Sequence, residues 1–170
     1  MNYSIPEQLL TERMRLVKVD IAHWPELHQY YSDEQATKYT TGKPLTEGES
    51  WRIVACLIGH WQIHGYGPYT MLDRDTGEVI GVVGLWYPGD WPEPEMKWAL
   101  LPACTGQGYA REAAVAVKGM VRDQLPHLSL ISLIFEQNIP SRKLAESVGA
   151  RFERMMEFRG KQAMVYRHSD

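Results

Sequence analysis

Three consecutive residues, Gly106-Gln107-Gly108, carry the strongest chemical signal in the sequence. They fall between a predicted strand and the first turn of a predicted helix. Glycines let the backbone turn its N–H groups inward, and the helix N-terminus adds the positive end of its dipole. Such a turn can bind a phosphate group without lysine or arginine, although a tight connection that binds nothing has the same local spacing.

Two familiar phosphate-binding motifs do not match this turn. The dinucleotide fingerprint has a third glycine three positions after its second, and here Arg111 occupies that position. The P-loop ends in Gly-Lys-Ser or Gly-Lys-Thr, and the sequence contains neither. The glycine turn therefore predicts neither of these two nucleotide sites.

The residues around the turn predict alternating strands and helices. Side-chain alternation and apolar runs indicate strands over about 11–20, 69–72, 78–86, 95–101, 128–135, 152–158 and 162–167. Capping signals and apolar residues at helical spacing indicate helices over about 21–31, 46–64, 109–124 and 138–149. This order predicts a mixed α/β (α+β) domain with a strand, the glycine turn and a helix at its centre.

Length and composition limit the class of protein. The chain has 170 residues, which predicts a single domain over 1–170, and 44% of them are apolar, which is enough for a core. A net charge of −3 excludes the basic surface typical of nucleic-acid binding. The sequence shows no signal peptide and no run of about 18 apolar residues, so we expect a cytoplasmic protein that does not bind membranes.

Cysteines and histidines do not predict a metal site. Cys56 and Cys104 are too few for a zinc site with four cysteine ligands or for a disulfide framework. His60 and His64 lie four residues apart on a predicted helix, which is a possible metal pair, but no third ligand has a suitable spacing. We therefore expect exposed or capping histidines and no bound metal.

Three segments together resemble the GNAT acyltransferases over nearly the whole chain and in the order of that family. Residues 95–113, EMKWALLPACTGQGYAREA, resemble motif A, which has a strand, a proline, Gly-x-Gly-Tyr-Ala and then Glu-Ala in a helix. The segment from Asn138-x-x-Ser141 to Gly149-Ala150 resembles a second family motif. Residues 11–16, TERMRL, resemble the opening strand of the RimJ/RimL branch, the bacterial ribosomal-protein N-terminal acetyltransferases.

The resemblance implies a fold and a cosubstrate. The implied GNAT fold has a central mixed, mostly antiparallel sheet of six to seven strands, splayed after the motif A strand and flanked by about four helices. The implied cosubstrate is acetyl-CoA, with its pyrophosphate on the amides of the glycine turn and its pantetheine arm along the strand over 95–101. The coenzyme contacts that the resemblance implies are Ala99, Leu100, Leu101, Thr105, Gly106, Gln107, Gly108, Tyr109, Ala110, Asn138 and Ser141.

The resemblance also implies a general base. The acceptor amine must lose a proton before it attacks a thioester, and a carboxylate can take that proton. Glu95 opens the motif A strand and is the implied base, with Glu93 and Asp90 as less favoured neighbours. A solvated carboxylate at the start of a strand is the simpler interpretation of Glu95. A backbone N–H near Leu100 is expected to stabilise the oxyanion.

In two places the chain departs from the family pattern. The family often has arginine or glutamine three residues before the first glycine, whereas this chain has Ala103, so pyrophosphate binding would depend on amides and the helix dipole. Many relatives use a tyrosine as general acid, and none occurs between Asn138 and Gly149. The resemblance to the RimJ/RimL branch implies a serine as the candidate acid, which is Ser141 here, although a hydroxyl is a poor acid and both Asn138 and Ser141 also fit a helix-capping role.

Aromatic residues predict the acceptor pocket. Tyr31, Trp86 and Trp91 are the substrate-binding candidates, with core packing as the alternative, and Trp91 has the most exposed position because it lies in a proline-rich loop.

The predicted reaction is direct transfer of an acetyl group from acetyl-CoA to a primary amine, in a protein N-terminus or a small molecule. An acyl-CoA-binding module with little or no transferase activity, and a binder of another phosphate ligand, are the alternatives. A monomer and a homodimer both stay open.

Overall fold

One sheet organises residues 2–169, the part of the chain that this computed structural model describes; residues 1 and 170 of the predicted domain lie outside it. Within that part the strands are β1 (Gln8–Leu10), β2 (Met14–Lys18), β3 (Pro68–Asp73), β4 (Val79–Trp86), β5 (Glu95–Leu100), β6 (Leu130–Phe135), β7 (Arg151–Phe158) and β8 (Lys161–His168). They lie in the order β1-β2-β3-β4-β5-β6-β8-β7. Neighbouring strands are antiparallel except β5 and β6, which are parallel.

Helices complete the mixed architecture, and the predicted α/β class with a mostly antiparallel sheet is confirmed. The α-helices of the described residues are α1 (Trp24–Tyr31), α2 (Glu34–Thr37), α3 (Glu47–His64), α4 (Tyr109–Gln124) and α5 (Ile139–Ser147). Two elements, β1 and α2, add to the predicted count. They have three and four residues, which is too short for a periodic pattern to appear in the sequence.

The helix ends follow their capping residues. Thr46 Oγ1 accepts a hydrogen bond from the Glu49 N–H, and the Glu49 carboxylate accepts one from the Thr46 N–H, so the predicted capping box starts α3. Asp20 is also an N-cap, but it caps a short 3-10 turn at Ile21–His23 rather than α1 itself. The predicted helix over 21–31 therefore becomes an α-helix only at Trp24.

The two faces of the sheet are covered by different helices. Along β4, Val83 and Leu85 pack in one core cluster with Ala113 and Val117 of α4. Val82, which points to the opposite face, packs in a second cluster with residues of α1 and α3. Because both faces are buried, β4 is apolar along almost its whole length.

The sheet opens between β5 and β6. These parallel strands are paired at only one position, Glu95 opposite Ile131. Beyond it, side chains take the place of the backbone ladder: Glu95 Oε2 accepts a hydrogen bond from the Leu133 N–H at 2.7 Å, and Ser132 Oγ donates one to the Met96 carbonyl at 2.7 Å. These two backbone groups are thus satisfied, and the strands diverge toward their C-terminal ends.

Candidate active site

A cleft of about 440 Å³ occupies the opening between β5 and β6. Its walls come from β4, β5, β6, the first turn of α5, the α1 and α3 side of the sheet, and the turn between β7 and β8. Many of the predicted site residues therefore meet around one space. The predicted residues that line it are Tyr31, Trp86, Trp91, Glu95, Ala99, Asn138 and Ser141.

Glu95 is buried at the inner end of this cleft, with 8% of its surface exposed. Its carboxylate accepts hydrogen bonds from the Leu133 N–H at 2.7 Å and from Trp91 Nε1–H at 3.1 Å. Burial raises the pKa of Glu95 to about 7, while the Leu133 N–H, the charge of Lys97 and Trp91 act in the opposite direction. A carboxyl group with that pKa can exchange a proton near neutral pH.

The two less favoured carboxylates are engaged elsewhere. Glu93 forms ion pairs with Arg167, at 2.6 Å, and with Arg154, at 3.3 Å, and the hydrogen bonds from Arg167 lower its pKa. Asp90 accepts two hydrogen bonds from the Arg159 guanidinium, at 2.7 and 2.9 Å. Of the three candidates, only Glu95 is a carboxyl group without an arginine partner that also lines the cleft.

Lys97 is a site residue that the sequence reasoning missed. It lies two residues after Glu95 on the same face of β5 and lines the cleft. Its ammonium nitrogen lies 4.7 Å from the centre of the Trp86 ring. Burial lowers the pKa of Lys97, and the Glu95 carboxyl opposes that effect. The alternation of side chains along a strand could have revealed Lys97, because every second side chain of β5 lies on the same face of the sheet as Glu95.

The start of α5 brings Asn138 and Ser141 to the outer part of the cleft. Asn138 Oδ1 lies 3.5 Å from the Ser141 backbone nitrogen, as expected for an N-cap. Ser141 Oγ accepts a hydrogen bond from Trp98 Nε1–H at 3.3 Å. The capping role is therefore present, and the proton of the Ser141 hydroxyl is still available to a group in the cleft.

The open edge of β5 decides which backbone groups face β6. The Leu101 N–H donates to the Ile80 carbonyl at 2.8 Å, so that N–H is not available to a ligand. Because backbone groups alternate along an antiparallel strand, those of Leu100 and Trp98 point to the open edge, while Ala99 contributes its side chain to the cleft. Of the three residues predicted to offer backbone there, Ala99, Leu100 and Leu101, only Leu100 directs its N–H to the open edge.

The glycine turn lies beyond the C-terminal end of β5. Gly106 and Gly108 have φ angles of +74° and +81°, in the left-handed region that glycine favours. Gly108 is the N-cap of α4, and no side chain caps the first turn of that helix. Thr105, Gln107 and both glycines are exposed, whereas Ala110 is buried, so Ala110 can offer only backbone atoms. The exposed amides form the type of site that accepts a phosphate group.

Arg13 brings a positive charge to this turn, which sequence reasoning did not foresee. Its guanidinium donates to the Gln107 carbonyl at 2.9 Å, forms an ion pair with Glu112 at 2.7 Å and lies 4.3 Å from the centre of the Tyr109 ring. Ala103 contributes no charge here; its carbonyl accepts a hydrogen bond from Gln107 Nε2. Arg13, which is 94 positions from Gln107 in the sequence, therefore supplies the positive charge that Ala103 does not contribute at the glycine turn.

The three residues predicted to bind the acceptor amine differ in their surroundings. Tyr31 is buried, Trp86 and Trp91 are half-buried, and all three line the cleft. Trp91 packs edge-on against Phe158 with 4.9 Å between ring centres, and the Arg159 guanidinium lies 4.9 Å from the centre of the Trp91 ring. Trp91 is thus held in the cleft wall rather than free in its loop.

Residues 2–169 hold neither a metal-binding cluster nor a membrane-spanning helix. No group of three or more histidine, cysteine, aspartate or glutamate side chains in this range is arranged to hold a metal ion. His60 bonds to backbone at both ring nitrogens, to the Tyr66 carbonyl and to the Tyr87 N–H. No helix within these residues is long and apolar enough to cross a membrane.

Comparison with known proteins gives consistent results across the chain. The family model described as an acetyltransferase (GNAT) domain matches residues 13–151. An uncharacterized N-acetyltransferase, p20, of Bacillus licheniformis is 27% identical over 152 residues, which are 88% of this chain and 85% of p20. The crystal structure of an acetyltransferase from Agrobacterium tumefaciens superposes with a TM-score of 0.87 at 29% identity, covering 100% of this chain and 98% of that chain.

A third similarity concerns the expected branch. An acetyltransferase from Salmonella typhimurium, described as modifying the N-terminal serine of the 50S ribosomal subunit protein L7/L12, superposes with a TM-score of 0.75 at 18% identity. It covers 96% of this chain and 97% of the Salmonella chain. At that identity the similarity shows a shared fold.

Proposed function

The chain belongs to the GNAT acetyltransferase family, and from that membership we propose that it transfers the acetyl group of acetyl-CoA to a primary amine bound beside Glu95. Acetyl transfer from acetyl-CoA to an amine is the general reaction of this family. The proposal concerns how this chain performs it and which residues take part. Either a protein N-terminus or a small molecule could supply the amine.

The observation that carries the proposal is the state of Glu95. This carboxyl group is buried in the cleft, has a pKa of about 7 and has no arginine partner. A carboxylate whose only role was to link β5 and β6 by hydrogen bonds could stay ionised throughout the neutral pH range. A pKa near the working pH instead suits a base that must take a proton from an ammonium ion and release it again.

The coenzyme site that we propose follows β5 to the glycine turn. The uncapped N–H groups at Gly108, Tyr109 and Ala110 would receive the pyrophosphate, with Arg13 adding charge beside them. The open edge of β5 at Trp98 and Leu100 would pair with the extended pantetheine arm, and Asn138 and Ser141 would contact it from α5. The absence of a side-chain cap supports this assignment, because within the described residues no side chain accepts a hydrogen bond from the first turn of α4 as its cap.

The reaction then needs only a few groups of the chain. Glu95 takes a proton from the acceptor ammonium, and the free amine forms an N–C bond with the thioester carbonyl carbon. The Leu100 N–H stabilises the negative oxygen that results. When the C–S bond breaks, the second proton of the amine nitrogen must also leave, and the Ser141 hydroxyl can relay it to the sulfur, so that CoA leaves as the thiol and Ser141 keeps its proton. The CoA thiol has a pKa of about 8.5 by analogy with cysteine, so this relay assists without being essential.

Two measurements test the proposal. Acetyl-CoA at one hundred times its Kd should stabilise the protein by about 2.7 kcal/mol, a Tm increase of roughly 5–10 °C, whereas ATP and NAD should give none. Replacing the base, Glu95→Gln, should lower kcat by about 100-fold and remove the rise of kcat/KM through pH 7, while the Tm increase with acetyl-CoA persists.

The matched control is Glu93→Gln, which removes a neighbouring carboxylate that is bound to arginines. It should leave the pH profile unchanged. If acetyl-CoA stabilises the protein but no amine in a broad panel releases CoA, the chain is an acyl-CoA-binding module. If the Glu95→Gln variant keeps the wild-type pH profile, Glu95 is not the base.

A further inference from the structure

One cation in the cleft forms no direct salt bridge within the described residues, although the Glu95 carboxyl favours its charged form. Among residues 2–169, Lys97 forms no ion pair and no side-chain hydrogen bond, and its ammonium contacts the Trp86 ring at 4.7 Å. The other cation of the lining, Arg159, is already bound to Asp90 through two hydrogen bonds. The charge of Lys97 is therefore available to a ligand in the cleft.

The sheet register places this charge next to the proposed base. In the β4–β5 ladder Trp86 is opposite Glu95, and Gly84 is opposite Lys97. Lys97 contacts the ring of Trp86, so its side chain extends across the strands toward the row that contains Glu95. The cleft consequently presents a proton acceptor and a cation as neighbours, with the Trp86 ring against the cation.

This pairing favours one chemical class of amine. An acceptor arrives as an ammonium ion, which Lys97 repels. An anionic group close to the ammonium offsets that repulsion and also gives Lys97 the partner that a half-buried charge requires. The aromatic part of the wall, formed by Trp86, Trp91 and Phe158, offers contact to an apolar body rather than to further charges.

Resting on the transfer function proposed above, we propose that the acceptor is an apolar amino acid whose carboxylate binds the Lys97 ammonium. Its side chain packs on Trp86 and Trp91, and its amine faces Glu95. Lys97 is then a specificity-determining residue. A free amino acid satisfies this arrangement, whereas the amine of a protein N-terminus is followed by a neutral peptide bond in place of the carboxylate.

The test uses acceptor pairs that differ only in the carboxylate: L-phenylalanine against 2-phenylethylamine, and L-leucine against 3-methylbutylamine. The wild-type protein should show a kcat/KM that is about 10- to 100-fold higher for the amino acid of each pair, as expected for a charge-assisted contact. Lys97→Met, which keeps the length and removes the charge, should abolish that preference. Lys97→Arg should retain part of it.

Lys161→Met is the matched control, because Lys161 is an exposed lysine of the neighbouring groove and does not line the cleft. It should leave the preference unchanged. Binding is measured separately, as the further Tm increase that each acceptor gives to the protein saturated with CoA. Lys97-dependent stabilisation by phenylalanine without acetylation would support the inference and contradict the transfer function. Equal use of both members of a pair, a preference that survives Lys97→Met, or neither acetylation nor stabilisation would overturn the inference.

Discussion

The two ends of β5 are both assigned to the site, yet they are built differently. At its start, Glu95 is buried, and its carboxylate is held by the Leu133 N–H and the Trp91 indole. Beyond its end, the turn at Gly106 and Gly108 is exposed and offers backbone amides with no side-chain cap. The start of β5 thus contributes a desolvated side chain, and the turn beyond its end contributes backbone N–H groups held by the backbone conformation.

The difference shows how each end obtains its chemistry. Burial changes the proton affinity of Glu95, because water no longer stabilises its charged form. The amides of the glycine turn keep their ordinary character, and only their direction and the helix dipole favour an anion. Changes that remove a charge should therefore affect the first end, and changes in backbone conformation the second.

The largest expected effect concerns the stability cost of Glu95. Its pKa is about 7 in the folded protein and 4.5 in the unfolded chain, so the folded state holds the proton more tightly. Stability from this group is complete below pH 4.5 and is lost as pH rises through 7. Over that window the wild type should lose about 3 kcal/mol relative to Glu95→Gln, measured by urea unfolding at several pH values.

Comparing the two proteins isolates Glu95. His60 and His168, whose pKa values burial lowers to about 4, titrate in both and cancel in the difference. Any constant change from the altered hydrogen bonds of glutamine also cancels in the slope against pH. A stability difference that does not depend on pH between 4.5 and 7 would show that Glu95 is not desolvated as described.

The next effect is smaller and tests the glycine turn with a matched pair. Gly106 and Gly77 have φ angles of +74° and +77°, and a Cβ atom at either would meet nothing within 4 Å. Alanine at either position should therefore cost about 1–2 kcal/mol of stability. Only Gly106→Ala should weaken acetyl-CoA binding, by about tenfold, because its methyl group would displace a ligand from the amides. The checks are urea unfolding for both variants and calorimetric titration with acetyl-CoA.

Gly77 lies in the turn between β3 and β4, away from the proposed site. The pair thus separates the strain of a left-handed alanine from the loss of a ligand contact. Equal acetyl-CoA affinity in the two variants would place the coenzyme elsewhere.

The same comparison explains what the sequence could and could not predict. The glycine turn, the capped helix α3 and the strand with Glu95 are local patterns, and each appears in the structure where it was expected. The partners of the site are not local. Arg13 reaches Gln107 from 94 positions away, and Arg159 reaches Asp90 from 69 positions away. No periodicity or motif encodes such contacts, because they depend on how distant elements pack.

Trp91 combines a local sequence signal with contacts to residues that are distant in the sequence. It lies only four residues from Glu95, and the sequence suggested an exposed residue for the acceptor. Instead, a tertiary contact with Phe158 and Arg159 turns its indole toward the carboxylate. The sequence proposed Trp91 as a residue that binds the acceptor, which stays a prediction, and the packing of the β7–β8 turn makes its indole a hydrogen-bond donor to Glu95.

The smallest expected effect tests that donor. Trp91→Phe removes the Nε1–H and keeps a ring in the wall, so the charged form of Glu95 loses one stabilising bond and its pKa should rise further. The midpoint of kcat/KM against pH should then move upward by roughly half a pH unit, consistent with one modest hydrogen bond. Phe158→Leu is the control, because it disturbs the packing of Trp91 and leaves the indole N–H in place. A midpoint that moves equally in both variants would assign the effect to packing, and a downward movement in Trp91→Phe would contradict the donor role.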